Sequence, residues 1–202
     1  MRVGLFGGSF DPIHLGHLAV ARAARAALRI DQVVFLPTAR PPHKPGRELA
    51  PALTRYAMAE IALLDEPGLL VSDAELALDR PVYSIETLER FRAERPADEL
   101  VMIVGADSLA LFDTWRRWEE ILATTELGVV VRPGWEWAQV APTLAPPLTA
   151  AIGRARLTWV SAVPHPASAT EIRRRLRAGE PLPDGWLDPR VLAFIAKYAL
   201  YR

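Results

Sequence analysis

Short apolar runs that read as strands alternate with longer runs that read as helices from one end of this chain to the other. Strands are expected over residues 3–6, 32–36, 69–72, 100–104, 127–131 and 157–160. Helices are expected over 18–28, 54–64, 84–95, 170–176 and 189–199, with Pro96 ending the third. Alternating β and α predicts a parallel sheet wound in both directions. The fold expected is therefore α/β and Rossmann-like, a single domain over residues 1–202 with a helical C-terminal part. In such sheets ligands bind beyond the carboxyl ends of the strands. The proline-rich stretch 134–150 is expected to be an irregular surface loop.

At 202 residues, half of them hydrophobic, the chain can bury a sizeable core and does not read as disordered. Acidic and basic residues balance at 24 each, which gives no general pull toward nucleic acid or a membrane surface. The absence of cysteine rules out disulfides, thiolate metal sites and a thiol nucleophile. No apolar run reaches membrane-spanning length, and the first strand begins at once without room for a signal peptide. A cytoplasmic protein is expected, with no nucleic-acid or membrane partner. Homo-oligomerisation is left open.

The densest chemistry lies in Gly7-Gly8-Ser9-Phe10-Asp11-Pro12-Ile13-His14-Leu15-Gly16-His17. A strand, a glycine turn and a helix start make a natural anion site, with free amides and the positive end of the helix dipole on the ligand. Gly7 and Gly8 permit positive φ and a close approach to a bulky group. His14 and His17, three apart, share a face of the helix start. Two imidazoles over a phosphate-binding turn suggest charge stabilisation in phosphoryl or nucleotidyl transfer.

The string G-G-S-F-D-P-x-H-x-G-H resembles the nucleotidyltransferase superfamily that carries H-x-G-H, and within it bacterial nicotinate-nucleotide adenylyltransferases. The resemblance extends over essentially the whole chain. It implies that Gly7, Gly8, Ser9, Phe10, Gly16 and both histidines hold ATP; Gly16, lacking a side chain, would let the adenine lie against the helix start. Residues 37–44 are similar to the family's P-x-x-x-P-P-H-K loop, which implies phosphate roles for His43 and Lys44. Thr38 would add a hydroxyl there.

Three further segments carry both a structural reading and a family one. Tyr83-Ser84-Ile85-Glu86-Thr87-Leu88 reads as a helix start capped by Ser84, with Thr87 at the third helical position. It is also similar to Y-S-x-x-T-L, whose amides, near Ser84 and Ile85 here, would face a nicotinate carboxylate. Gly105-Ala106-Asp107-Ser108 ends a strand. Asp107 fits a helix cap or a ribose contact, and the family's G-x-D contacts the nucleotide. Trp115 and Trp118 read as a buried helical face. The family resemblance implies instead that Trp115 stacks on the pyridine ring and that the Arg116 amide meets the carboxylate; the Arg116 side chain, as a cation there, would favour an acid over an amide. Ser168-Ala169-Thr170-Glu171-Ile172-Arg173 reads as a capping box of Ser168 and Glu171. It resembles S-S-T-x-I-R, which binds ATP phosphates, with Ala169 in place of the second serine. Ser168, Thr170 and Arg173 would hold ATP. Arg132, at a strand end, reads equally as a phosphate or a surface arginine, and His165 is assigned no role.

The activity expected is transfer of the adenylyl group of ATP to nicotinate mononucleotide, giving nicotinate adenine dinucleotide and pyrophosphate. Direct in-line attack is expected, with His14, His17, Lys44 and Arg173 as the catalytic groups. Mg²⁺ would enter with ATP, coordinated by phosphate oxygens and water, with no protein metal cage and Asp11 only a weak ligand. Three alternatives remain open at this stage. They are a transferase using nicotinamide mononucleotide or phosphopantetheine, a class I aminoacyl-tRNA synthetase (disfavoured by length and the lack of K-M-S-K-S), and a non-catalytic nucleotide sensor.

Overall fold

In a computed structural model, residues 1–39, 49–76, 80–131, 135 and 137–202 are described. Among the described residues six strands form, β1 (Arg2–Gly8), β2 (Gln32–Pro37), β3 (Leu69–Val71), β4 (Glu99–Gly105), β5 (Glu126–Val131) and β6 (Leu157–Ser161). They form one sheet in the order β3-β2-β1-β4-β5-β6, every pair parallel. The direction of winding reverses between β1 and β4, so a crevice opens at their carboxyl ends.

The helices are α1 (Leu15–Ala27), α2 (Ala52–Leu63), α3 (Ser84–Glu94), α4 (Ala106–Leu109), α5 (Trp118–Thr124), α6 (Trp137–Val140), α7 (Pro146–Ile152), α8 (Ala169–Arg177) and α9 (Pro189–Lys197). Successive strand residues point to opposite faces, and both faces are covered, which is why the strands read as unbroken apolar runs. Phe6, Phe35, Val101, Ile103 and Val130 meet Leu18 and Ala21 of α1, Met58 and Ala62 of α2, and Ile172, Val191 and Ile195 of α8 and α9. Val3, Leu5, Val34, Leu100, Met102, Val104 and Val129 meet Ile85, Leu88 and Phe91 of α3, Ile121 of α5 and Leu148 of α7. Each such side chain contributes about 1.5–3 kcal/mol on full burial. At Gly128 a Cβ would collide with Leu28, so that glycine lets the end of α1 settle on β5.

One expectation is overturned. The stretch read as an irregular loop over 134–150 holds α6, a 3₁₀ turn at Ala141–Thr143 and the start of α7. Val140, Leu144 and Leu148 are buried in the second core layer. The prolines that suggested a loop, Pro146 and Pro147, occupy the first two positions of α7, where an absent N–H removes no intrahelical bond.

Candidate active site

The chain leaves β1 and enters α1 through a turn that works differently from the expectation. Gly7 and Gly8 lie within β1, and the left-handed residue is Phe10 at φ 46°. The Phe10 ring is buried edge-on against Phe6 at 5.6 Å and packs on Phe35 at 5.3 Å. That packing holds a non-glycine residue where it ordinarily costs about 1–2 kcal/mol. The glycines act by lacking side chains. A Cβ on Gly8 would stand 2.8 Å from the Phe10 ring, and one on Gly7 would meet nothing within 4 Å, so Gly7 fronts open space.

His14 is the N-cap of α1 and His17 its third helical residue. As expected, their rings lie together, stacked at 3.7 Å and 27°. The His14 backbone N–H donates to His17 Nδ1 at 3.2 Å, the bond a capping box normally gives to glutamate. Because Nδ1 accepts, the neutral His17 ring carries its proton on Nε2 and is a donor there. A Cβ on Gly16 would lie 2.9 Å from His14 Nδ1 and 3.4 Å from the Ala167 carbonyl oxygen. Gly16 therefore first makes room for the His14 ring.

Both histidines line a cavity of about 530 Å³ together with Gly16, His165, Ser168, Ala169, Thr170 and Arg173. Ser168 caps α8, accepting the Glu171 N–H at 3.2 Å, but the expected box is only half built. The Glu171 carboxylate turns to Arg174 at 2.8 Å and Arg175 at 2.9 Å, and the Arg174 guanidinium holds its pKa down at about 2. Arg173 is buried, and one guanidinium nitrogen donates to the Asp11 carbonyl at 2.5 Å. Asp11 is buried as well. Its Oδ1 accepts from the Tyr201 hydroxyl at 2.7 Å and the Ala50 N–H at 3.2 Å, and its Oδ2 lies 3.6 Å from Arg173. Burial, then the Asp11 carboxylate, pushes the Tyr201 phenol far above its ordinary range. His165, given no role above, is brought into this cavity with its Nδ1 accepting the Ala167 N–H at 3.1 Å.

A second cavity, about 350 Å³, is lined by Thr38, Glu75, Val82, Tyr83, Ser84, Leu111, Trp115 and Arg116. Tyr83, and not Ser84, is the N-cap of α3, and Glu86 accepts its N–H at 3.2 Å. Ser84 and Ile85 are thus the first two helical residues, whose amides have no acceptor within the helix. Thr87 is one residue past the box, and its buried hydroxyl donates to Glu75 at 2.9 Å. Burial pushes the Glu75 carboxyl upward. Trp115 ends a 3₁₀ turn at Phe112–Thr114 and stacks on Phe112 at 4.8 Å, while Trp118 begins α5. The two tryptophans therefore do not share a helix face. The Arg116 guanidinium lies 5.1 Å over the Tyr83 ring and 3.9 Å from Glu86.

The two cavities share a wall at the ends of β1 and β4, made by Phe6, Gly7, Gly8, Ser9, Gly105, Asp107 and Ser108. Gly105 caps α4, and the Asp107 carboxylate fills the place a Cβ on Gly105 would take. Two elongated ligands laid in the cavities would meet at this strip, beside the stacked histidines. His43, Lys44 and Arg132 lie outside the described residues. Glu75, Tyr201 and Arg55 were not foreseen. Arg55 did leave a signal, since it begins the buried stripe Arg55, Met58, Ala59, Ala62 of α2, at the spacing of a core face. Glu75, on an irregular segment, left none.

The profile of the cytidylyltransferase-like family matches residues 5–175. A relative from Symbiobacterium thermophilum, named probable nicotinate-nucleotide adenylyltransferase, is 40% identical over 99% of this chain and 95% of its own. One of the same name from Solibacter usitatus is 41% identical over the full length of both. The Plasmodium falciparum nicotinic acid mononucleotide adenylyltransferase complexed with NaAD has the same fold. Its TM-score is 0.76 at 16% identity, covering 99% of this chain and 97% of that one.

Proposed function

This chain belongs to the cytidylyltransferase-like family and, within it, to the nicotinate-nucleotide adenylyltransferases, and from that membership we propose how its two cavities divide the reaction. The enzyme transfers the adenylyl group of ATP to nicotinate mononucleotide, yielding nicotinate adenine dinucleotide and pyrophosphate in NAD biosynthesis.

ATP takes the larger cavity, with its base toward Gly16 and residues 162–167 and its phosphates toward α8. Nicotinate mononucleotide takes the smaller one, with its pyridine ring on Trp115 and its carboxylate on the amides of Ser84, Ile85 and Arg116. A carboxylate at the start of α3 gains from the helix dipole. Asp107, in the shared wall, accepts from ribose hydroxyls. An oxygen of the mononucleotide phosphate attacks the α-phosphorus in line. The bond from that phosphorus to the bridging oxygen breaks, and pyrophosphate leaves with the electron pair. The attacking phosphate is already anionic, so no base is required, and positioning with charge stabilisation supplies the rate. His17 Nε2–H and His14 meet the charge on the α-phosphate, and Arg173, braced by Asp11, meets the triphosphate. His43 and Lys44 keep the phosphate roles that the resemblance implies.

Mg²⁺ would accompany ATP and neutralise the departing pyrophosphate. Asp11 Oδ1 is taken by Tyr201 and Ala50, its buried Oδ2 faces Arg173 at 3.6 Å without a hydrogen bond, and the described residues hold no cluster of three metal-ligating side chains. Phosphate oxygens and water are the ligand set that fits this site, with Asp107 the carboxylate nearest the junction.

The observation that carries this reading is the wall shared by the two cavities beside the His14–His17 stack. Pyrophosphate release with ATP and each mononucleotide tests it. A strong preference for the nicotinate form is expected. Equal rates with the nicotinamide form would overturn the assignment of the acid to the α3 amides, and no release with either would overturn the reaction.

A further inference from the structure

Arg55 is 1% exposed, in the core-facing stripe of α2. Burial lowers its pKa, the nearby Asp11 carboxylate opposes that, and a guanidinium stays protonated under such conditions. A buried cation persists only where its donors are satisfied. Among the described residues the satisfaction comes from backbone carbonyls. Nε donates to Ala50 at 2.9 Å, Nη1 to Ser9 at 2.6 Å, and Nη2 to Thr38 at 2.8 Å and Ala39 at 3.3 Å. Those carbonyls belong to three separate segments, namely the turn after β1, the exit from β2 and the approach to α2. Ala50 is held at both of its backbone groups, because its N–H also donates to Asp11 at 3.2 Å. Ser9 lines both cavities and Thr38 lines the smaller one.

We propose that Arg55 is a positioning residue for the acceptor side of the site. Its planar fork sets the spacing between the ends of β1 and β2, and so the shape of the smaller cavity, without touching the substrate. A lysine would keep the charge but not the fork, since an ammonium is a point donor and cannot span carbonyls in three directions in one plane. The proposal rests on the assignment of the mononucleotide to the smaller cavity.

The test compares wild type with Arg55→Lys and Arg55→Gln by amide hydrogen exchange and steady-state kinetics with each substrate varied. Exchange is expected to rise about tenfold or more in residues 8–12, 36–39 and 49–52, with β4 and β5 unchanged. The KM for the mononucleotide is expected to rise about tenfold, and the KM for ATP by less than about threefold. A variant that is merely less stable would not split the two constants. Unchanged exchange in those segments, an equal rise in both KM values, or failure of both variants to fold even in the cold would overturn the proposal. If wild type turns over neither mononucleotide, the reaction assignment fails by itself, and the exchange comparison still decides the role of Arg55.

Discussion

His17 occupies the position where a capping box ordinarily carries glutamate, and its Nδ1 is used up on the His14 amide at 3.2 Å. In the proposed mechanism structure and chemistry fall to different nitrogens of one ring. His17→Asn retains an oxygen that can accept the His14 N–H but lacks the Nε2 donor. It is expected to melt close to wild type and to lose about 10²–10³ in kcat, the usual cost of one donor to a developing anion. A near-wild-type kcat in a folded His17→Asn would contradict the role. At this scale the sequence shows residue types and spacing but not partners. The H-x-G-H pair was legible because three residues is one helical turn. The left-handed residue at Phe10 was not, since aromatic packing from β1 and β2 holds it there against its own preference. Ser84 was read as a cap one position late, because serine is the commoner cap and tyrosine is not one by side-chain chemistry.

Most elements were visible from hydrophobic period and length, and α1, α2, α3 and all six strands lie within a few residues of their expected places. The region of α6 and α7 was missed because proline is a breaker everywhere except at a helix start, and nothing local marks Pro146 as a start. Leu148 is fully buried there against the second core layer. Leu148→Ala is expected to lower stability by about 2–5 kcal/mol in chemical denaturation. It should leave the kinetic constants of the folded enzyme unchanged, because α7 lies outside both cavities. A loss below about 0.5 kcal/mol would show that this segment is surface and not core.

Across the whole molecule the charges balance, and what distinguishes one group from another is burial. Hydrogen bonds from arginines hold Glu86, Glu99, Glu180 and Asp188 below the ordinary carboxylate range, and Glu171 at about 2. A carboxyl lowered on folding contributes stability above its unfolded pKa and loses it as pH falls through the folded one. The melting temperature should therefore drop as pH falls from about 4.5 toward 2. Glu75 has the opposite sign. Its pKa is raised by burial, so ionising it costs stability as pH rises past the ordinary glutamate value. Glu75→Gln should accordingly gain in melting temperature relative to wild type as pH rises from about 4 to 7. A difference between the two proteins that stays flat over that range would contradict a buried, desolvated carboxylate.

In the proposed reaction acceptor and donor meet across one wall at the ends of β1 and β4, so that transfer is a single displacement. The most direct test uses ATP made chiral at its α-phosphorus by sulfur substitution and reads the configuration of the dinucleotide formed with nicotinate mononucleotide. Inversion is predicted, since one in-line attack inverts the centre. Retention would mean two displacements through an adenylylated enzyme group, and would contradict direct transfer between the two cavities.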